Sequence, residues 1–268
     1  MSKRMLNIVF VMVISISVWQ ADVSEADMVY DGLISFWTFD EADTEDNIVM
    51  DTIGINHGTI MGEPEVVDGW IGDALQFDGI DDGVNCGQDP SLDLGKEDFT
   101  LEAWFRGGTQ TSSWPCIFRK GNALCDTCPP GYAIFWAGNQ WTLALDASNQ
   151  AGDQDRVTVA SGPYMDEEWH HIVGTRDKDK TYLYLDGVLV NSGVNNDRNI
   201  NTGSSLFISS DTSFNGAIDE VKIYNRALSE GEIQRNYKAT SHEIAVELTS
   251  KLATKWGGIK SGLSCEMR

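Results

Sequence analysis

The sequence predicts an all-β protein: a two-sheet antiparallel jelly-roll sandwich with a short C-terminal helix. Three observations predict it. Beyond residue 27 the chain is a succession of short apolar/polar alternations punctuated by Gly, Asn and Asp, which is the two-residue period of half-buried strands. No long 3.6-residue pattern interrupts them before about residue 241. Finally, Phe214 to Ser229 reads turn, strand, helix in one run, and the number of strands along the chain suits two packed sheets.

Leu33 to Phe39 is the first expected strand, with Leu33, Ser35, Trp37 and Phe39 on one face. Ala74 to Phe77, Val84, Phe99 to Phe105, Cys116 to Lys120, Tyr132 to Trp136 and Trp141 to Leu145 follow. Val157 to Ala160, His170 to Arg176, Lys180 to Leu185, Val188 to Asn191 and Leu206 to Ser209 continue the series. Asp186-Gly187 marks a hairpin, because a two-residue primed turn needs positive φ that Asp and Gly accept cheaply. In the last strand Ala217, Asp219, Val221 and Ile223 alternate with Ile218, Glu220, Lys222 and Tyr224 after the Asn215-Gly216 turn. Ser229 and Glu232 have capping-box spacing, and Ile233 and Tyr237 give the helix that follows its apolar stripe.

Residues 1–26 have the layout of a secretory signal peptide: Lys3 and Arg4, an apolar run from Leu6 to Trp19, then the small residues of Ser24-Glu25-Ala26. The run is roughly 14 residues, short of the ~20 that span a bilayer, so the mature chain is expected to carry no transmembrane segment. Residues 27–240 then form one domain, and 241–268 a tail that either packs as a helix or serves as an attachment segment. Acidic residues number 41 against 19 basic, for a net charge of -22, which opposes nucleic acid and anionic lipid as partners. The five cysteines, Cys86, Cys116, Cys125, Cys128 and Cys265, leave one thiol over in an oxidising compartment. A bridge from Cys116 to Cys125 or Cys128 would close a short loop. A zinc site lacks a second Cys-x-x-Cys pair.

No catalytic residues are assigned. The Glu-x-Asp-x-x-Glu spacing that sets two carboxylates on one strand face is absent, and Asp219-Glu220, being adjacent, should point to opposite faces. The same argument separates His170 from His171. No Gly-x-Ser-x-Gly elbow is present. Asp78, Asp81 and Asp82 read as turn residues. Trp114, Trp136 and Trp141 flank the cysteine-rich loop and are candidate ligand-binding residues, since exposed indoles stack on sugar faces. The alternative for each is a place in the core.

Leu75-Gln76-Phe77-Asp78-Gly79-Ile80-Asp81-Asp82, Glu168-Trp169-His170-His171-Ile172-Val173 and the run from Phe214 to Ser229 together resemble the laminin-G-like jelly-roll domains of the concanavalin A-like lectin/glucanase superfamily. The resemblance implies a structural role for Glu102. It also implies a structural calcium that ties first and last strands together, with Asp40, Asn56 and Asp219 as oxygen ligands. The expected function is an exported, non-catalytic binding module, secreted or in the cell envelope, that recognises carbohydrate or an extracellular protein. The rivals are a polysaccharide-acting glycoside hydrolase of the same fold and a structural envelope component.

Overall fold

A computed structural model describes residues 28–110, 112–121, 130–146, 154–158, 162, 164–197, 199–209 and 214–241. In chain order the first strands are β1 (Leu33–Trp37), β2 (Thr44–Glu45), β3 (Ile48–Val49), β4 (Gly58–Met61), β5 (Glu65–Asp68), β6 (Asp73–Asp78) and β7 (Gly83–Asn85). The middle supplies β8 (Phe99–Gly107), β9 (Cys116–Gly121), β10 (Gly131–Ala137), β11 (Gln140–Asp146) and β12 (Gln154–Thr158). Then come β13 (Trp169–Asp177), β14 (Lys180–Leu185), β15 (Val188–Val194), β16 (Leu206–Ser209), β17 (Asn215–Tyr224) and the helix α1 (Glu230–Lys238). Among the described residues no helix is long and apolar enough to cross a membrane.

The strands form two antiparallel sheets. The 8-stranded sheet runs β15-β14-β13-β8-β17-β6-β5, with β1 also paired to β17, and the 9-stranded sheet runs β12-β11-β10-β9-β16-β7-β4-β3-β2. Their facing side chains make the main core, to which Trp37, Leu101, Phe105, Ile218 and Val221 come from the first sheet and Ile134, Trp141, Leu143 and Ile208 from the second. Alternation places these residues inward, since every second side chain of a strand faces the same way. The hairpin turn at Asp186-Gly187 has φ of 51° and 72°, as a primed two-residue turn requires. Ser229 and Glu232 form both halves of the capping box, with Ser229 Oγ accepting from Glu232 N and Glu232 accepting from Ser229 N.

Strict alternation fails at four register shifts among the described strands, two of which bear on the first sheet's link to its last strand. Asp219 pairs with Trp104 and Lys222 with Glu102, so Glu220 and Val221 stand together opposite the single Ala103. This is a β-bulge, and Glu220 takes the left-handed φ of 53°. Ile218, Val221 and Ile223 therefore all face the core. A second register shift between Leu33 and Ser35 in β1 turns Leu33 away from the face that Trp37 and Phe39 share. Strands β2 to β5 have no counterpart in the sequence expectation, because they are two to four residues long with little apolar alternation.

A second apolar cluster lies on the outer face of the first sheet. Ile233 of α1 packs there with Val173, Tyr184, Tyr224, Phe36, Leu228 and the segment Met28–Val29. Burying Ile233 alone contributes about 1.5–3 kcal/mol.

Candidate functional site

The outer face of the first sheet divides into a sealed part and an open part. Under α1 lies a cluster of charged and polar groups with almost no exposure: Glu102, His171, Glu220, Lys222 and Asn236. Lys222 Nζ is 2.8 Å from Glu220 Oε2 and 3.7 Å from Glu102 Oε1, and His171 Nε2 is 3.3 Å from Glu102 Oε1. Asn236 of α1 donates to Glu102 Oε2 at 2.7 Å and to the Tyr224 hydroxyl at 3.0 Å, while its Oδ1 accepts from Val29 N at 2.8 Å. Burial pushes the Glu102 carboxyl up, but Lys222, then His171 and Asn236, outweigh it and hold it below its usual value. Lys222 is raised because Glu220 and Glu102 together outweigh its burial. The bulge is what brings this about. Adjacency was expected to send Asp219 and Glu220 to opposite faces; instead Glu220 turns to Lys222 on the outer face while Asp219 reaches the β5–β6 turn beside Trp70, which stacks on the outer-face Trp104 at 3.8 Å. Glu102 has no exposed surface with which to meet a substrate.

The expected calcium ligands fall into two places. Asp219 Oδ2 accepts from Trp70 N at 2.7 Å and Ile71 N at 3.1 Å, and its Oδ1 accepts from Glu220 N at 2.7 Å. Burial and the neighbouring Glu220 push this carboxyl well up, against the pull of those N–H groups. Asp40 Oδ1 accepts from Asp73 N at 2.7 Å in the same β5–β6 turn. A Cβ on Gly72, at φ +67°, would come within 2.0 Å of Asp40 Oδ1, so only glycine lets the carboxylate in. Asn56 is seated elsewhere, donating to Ser35 Oγ and Ser91 Oγ while its carbonyl accepts from Trp37 Nε1. In this arrangement Asp40 and Asp219 serve the turn, both oxygens of Asp219 are occupied by N–H donors, and the three residues do not converge on one point. The three therefore do not fit a shared calcium as they stand. Asp78, Asp81 and Asp82 do offer carboxylate oxygens within 4.8 Å of one another. They also serve as turn acceptors, Asp78 Oδ1 taking Ile80 N and Asp82 taking Asp78 N and Glu63 N.

Of the three candidate tryptophans, Trp141 is wholly buried and Trp136 is 9% exposed, both within the main core. Neither can offer a face to a sugar in this arrangement. Trp114 is 40% exposed and tilts against Phe135 at 5.4 Å on the outer face of the second sheet, where Arg156 also lies over the Phe135 ring. Cys116 is buried beside Phe135 and Ala133. Cys125 and Cys128 lie outside the described residues, as do the signal region and most of the tail.

A cleft of about 520 Å³ opens at the far end of the first sheet, lined by Gln76, Arg106, Gly107, Gly108, Thr109, Glu167, Asn215 and Gly216. Such a volume suits a small ligand or a few sugar units. Register builds it. Across five neighbouring strands Glu65 pairs with Gln76, Gln76 with Ala217, Ala217 with Arg106 and Arg106 with Trp169. Ala217 is short enough to leave a floor between the longer chains. The Arg106 guanidinium lies 5.0 Å from the centroid of the Trp169 ring, a cation–π contact. Gln110 closes one wall, donating to the carbonyls of Gly108 and Asn215 and accepting from Asn215 N. Behind it His170 is clasped between Asp186 at 3.0 Å and Asp166 at 3.1 Å, fixing the 164–168 segment that carries Glu167. The Asp186 hydrogen bond, against burial, raises the His170 pKa above its usual value. The sequence reading passed over this cleft; the signal in the chain is an arginine next to last in a nine-residue strand that is otherwise buried, followed by Gly107-Gly108.

Two antiparallel sheets with inward aromatic cores and a face bearing a polar cleft define a jelly-roll sandwich. The family model described as the concanavalin A-like lectin/glucanases superfamily, a laminin-G-like model, matches residues 78–234. The chain belongs to that family. Asp219 lies inside the matched segment, whereas Asp40 and Asn56 precede it. No curated protein matches the chain. Among solved structures the chain is similar to the binding domain of Paraclostridial mosquitocidal protein 1, with TM-score 0.63 and 17% identity over 77% of this chain and 52% of that one. The binding domain of botulinum neurotoxin serotype G gives TM-score 0.60 and 16% identity over 76% and 50%. Trypanosoma rangeli sialidase, in complex with a difluorinated KDN, gives 0.59 and 16% over 78% and 33%. The chain thus spans about half the length of the toxin domains it resembles, and at these identities the likeness is one of fold.

Proposed function

We propose that this chain is an exported, non-catalytic glycan-binding module whose site is the cleft around Arg106 and Trp169. The observation that carries the reading is the cleft's lining: amide, hydroxyl, carboxylate and guanidinium groups suited to sugar hydroxyls, and three glycines that expose the backbone, with the Trp169 indole against Arg106. Family membership and the fold it shares with binding domains support the same reading. An extracellular protein is the second reading, favoured by the exposed Trp114 on the other sheet. The hydrolase reading would need two converging carboxylates about 5–9 Å apart in a groove.

A glycan array of the full chain, run with calcium and with chelator while the melting temperature is recorded, tests the proposal. Glycan binding that is lost on Gln76→Ala or Asn215→Ala, with the melting temperature held, is the expected result. Absence of binding to any glycan overturns it in favour of a protein partner. The calcium implied by family resemblance for Asp40, Asn56 and Asp219 requires a lower melting temperature in chelator; an unchanged one removes it.

A further inference from the structure

We propose that Arg106 is an anion receptor and that the cleft selects a glycan whose bound sugar carries a single carboxylate. The inference rests on the glycan-binding reading and deepens it. Among the described residues the Arg106 side chain makes neither a hydrogen bond nor an ion pair, and its ring contact with Trp169 is the interaction it has. Two other arginines of the fold are spent. Arg176, wholly buried, donates to the carbonyls of Leu94, Gly95 and Glu97, and Arg226 makes a two-point pair with Glu232 at 2.7 and 3.0 Å. In a chain with 41 acidic and 19 basic residues, a half-buried guanidinium left without a carboxylate is conspicuous, because the sequence supplies partners in excess.

The chemistry follows from the group. Stacking on an indole restrains a guanidinium while leaving its in-plane N–H donors unspent, and that fork matches a carboxylate in two parallel hydrogen bonds. Glu167 lines the same cleft without pairing to Arg106. The space between the cation and this carboxylate is thus kept open, with one side suited to a sugar carboxylate and the other to sugar hydroxyl donors. Gln76, Thr109 and Asn215 add neutral donors and acceptors around them.

The number of charges is limited from the other end. Gln76 also borders an acidic groove lined by Glu63, Glu65, Asp78, Asp81 and Asp82, which meets any ligand that extends past the cleft. Together with the net charge of -22, this groove repels a densely charged chain. A phosphate monoester would bring a second negative charge against Glu167. One carboxylate on an otherwise neutral glycan meets Arg106 without that penalty.

The test is titration calorimetry of the full chain with oligosaccharides ending in glucuronic acid or in N-acetylneuraminic acid, with their carboxyl-reduced counterparts, and with heparin. Expected are binding of at least one acid-terminated glycan, roughly 10-fold or more weakening on carboxyl reduction, and no binding of heparin. Arg106→Ala should lose that margin with little change in melting temperature, and Arg106→Lys should recover part of it, since an ammonium cannot make the two-point contact. Equal affinity for the reduced sugars, or full affinity in Arg106→Ala, overturns the carboxylate assignment while leaving glycan binding in place. Failure of the wild-type chain to bind any sugar on the array overturns both.

Discussion

Lys222 and Arg106 stand on the same face of the same sheet, on neighbouring strands, and are treated in opposite ways. Lys222 is 2% exposed and held by Glu220, with Glu102 close by. Arg106 is half-buried and held by a ring alone. The difference teaches what each charge is for. A buried cation is tolerated only with its counter-charges in place, so the helix-covered part of the sheet commits all its charges to one another. The open end leaves its cation uncommitted, a state with a use only when a ligand arrives.

The comparison can be broken most forcefully at Lys222. Lys222→Met leaves Glu102 and Glu220 buried without their cation, and stability in denaturant should fall by about 3–5 kcal/mol. Asp219→Ala comes next: it strips the acceptor from Trp70 N, Ile71 N and Glu220 N, with an expected loss of about 1–3 kcal/mol in all, since water reaches the part-buried Trp70 N, and faster hydrogen exchange in the β5–β6 turn. Ser229→Ala removes the helix cap that seals the charged cluster, at about 1 kcal/mol by thermal melting.

Two pH effects sharpen the contrast further. Glu232 is lowered to about 2 by the Arg226 pair, so its contribution is complete above its usual value of 4.5 and is lost as pH falls from there towards 2. Glu232→Gln should flatten that acid limb of the melting curve. His170 is raised, so its contribution is complete below the usual 6.5 and is lost as pH rises through the folded value. The protection factors of amides in residues 164–168 should therefore fall on the alkaline side, beyond the intrinsic base catalysis of exchange, and His170→Gln should abolish that fall. The smallest change is expected at the open end, where Arg106→Ala loses one ring contact and should cost only about 0.5–1 kcal/mol in denaturant. A large loss there would mean that Arg106 is structural after all.

Much of the fold was legible because it is written locally. The Asp186-Gly187 turn, the Ser229–Glu232 box and the apolar alternation of β8, β13 and β17 each need only a few neighbouring residues. The bulge at Glu220 was not legible, since an extra residue in a strand is defined by the partner opposite it, here Ala103. The indoles failed for a related reason: in Tyr132-Ala133-Ile134-Phe135-Trp136 both faces are apolar, so parity alone does not say which face meets the core. The Arg106 cleft depends on the register of five strands scattered from Glu65 to Ala217, and no local pattern records that.

The position of β17 in the chain has a consequence for how the molecule assembles. It is the last strand described, yet in its sheet it joins β8 on one side to β1 and β6 on the other. Those pairings close loops of more than 100 residues, between Ile223 and Leu101 and between Tyr224 and Leu33. Synthesis therefore delivers the keystone after everything it must lock, and folding of the first sheet waits on contacts distant in sequence, the slow regime for chains of this kind. Until residue 224 has been made, the growing polypeptide holds two halves of a sheet with nothing between them.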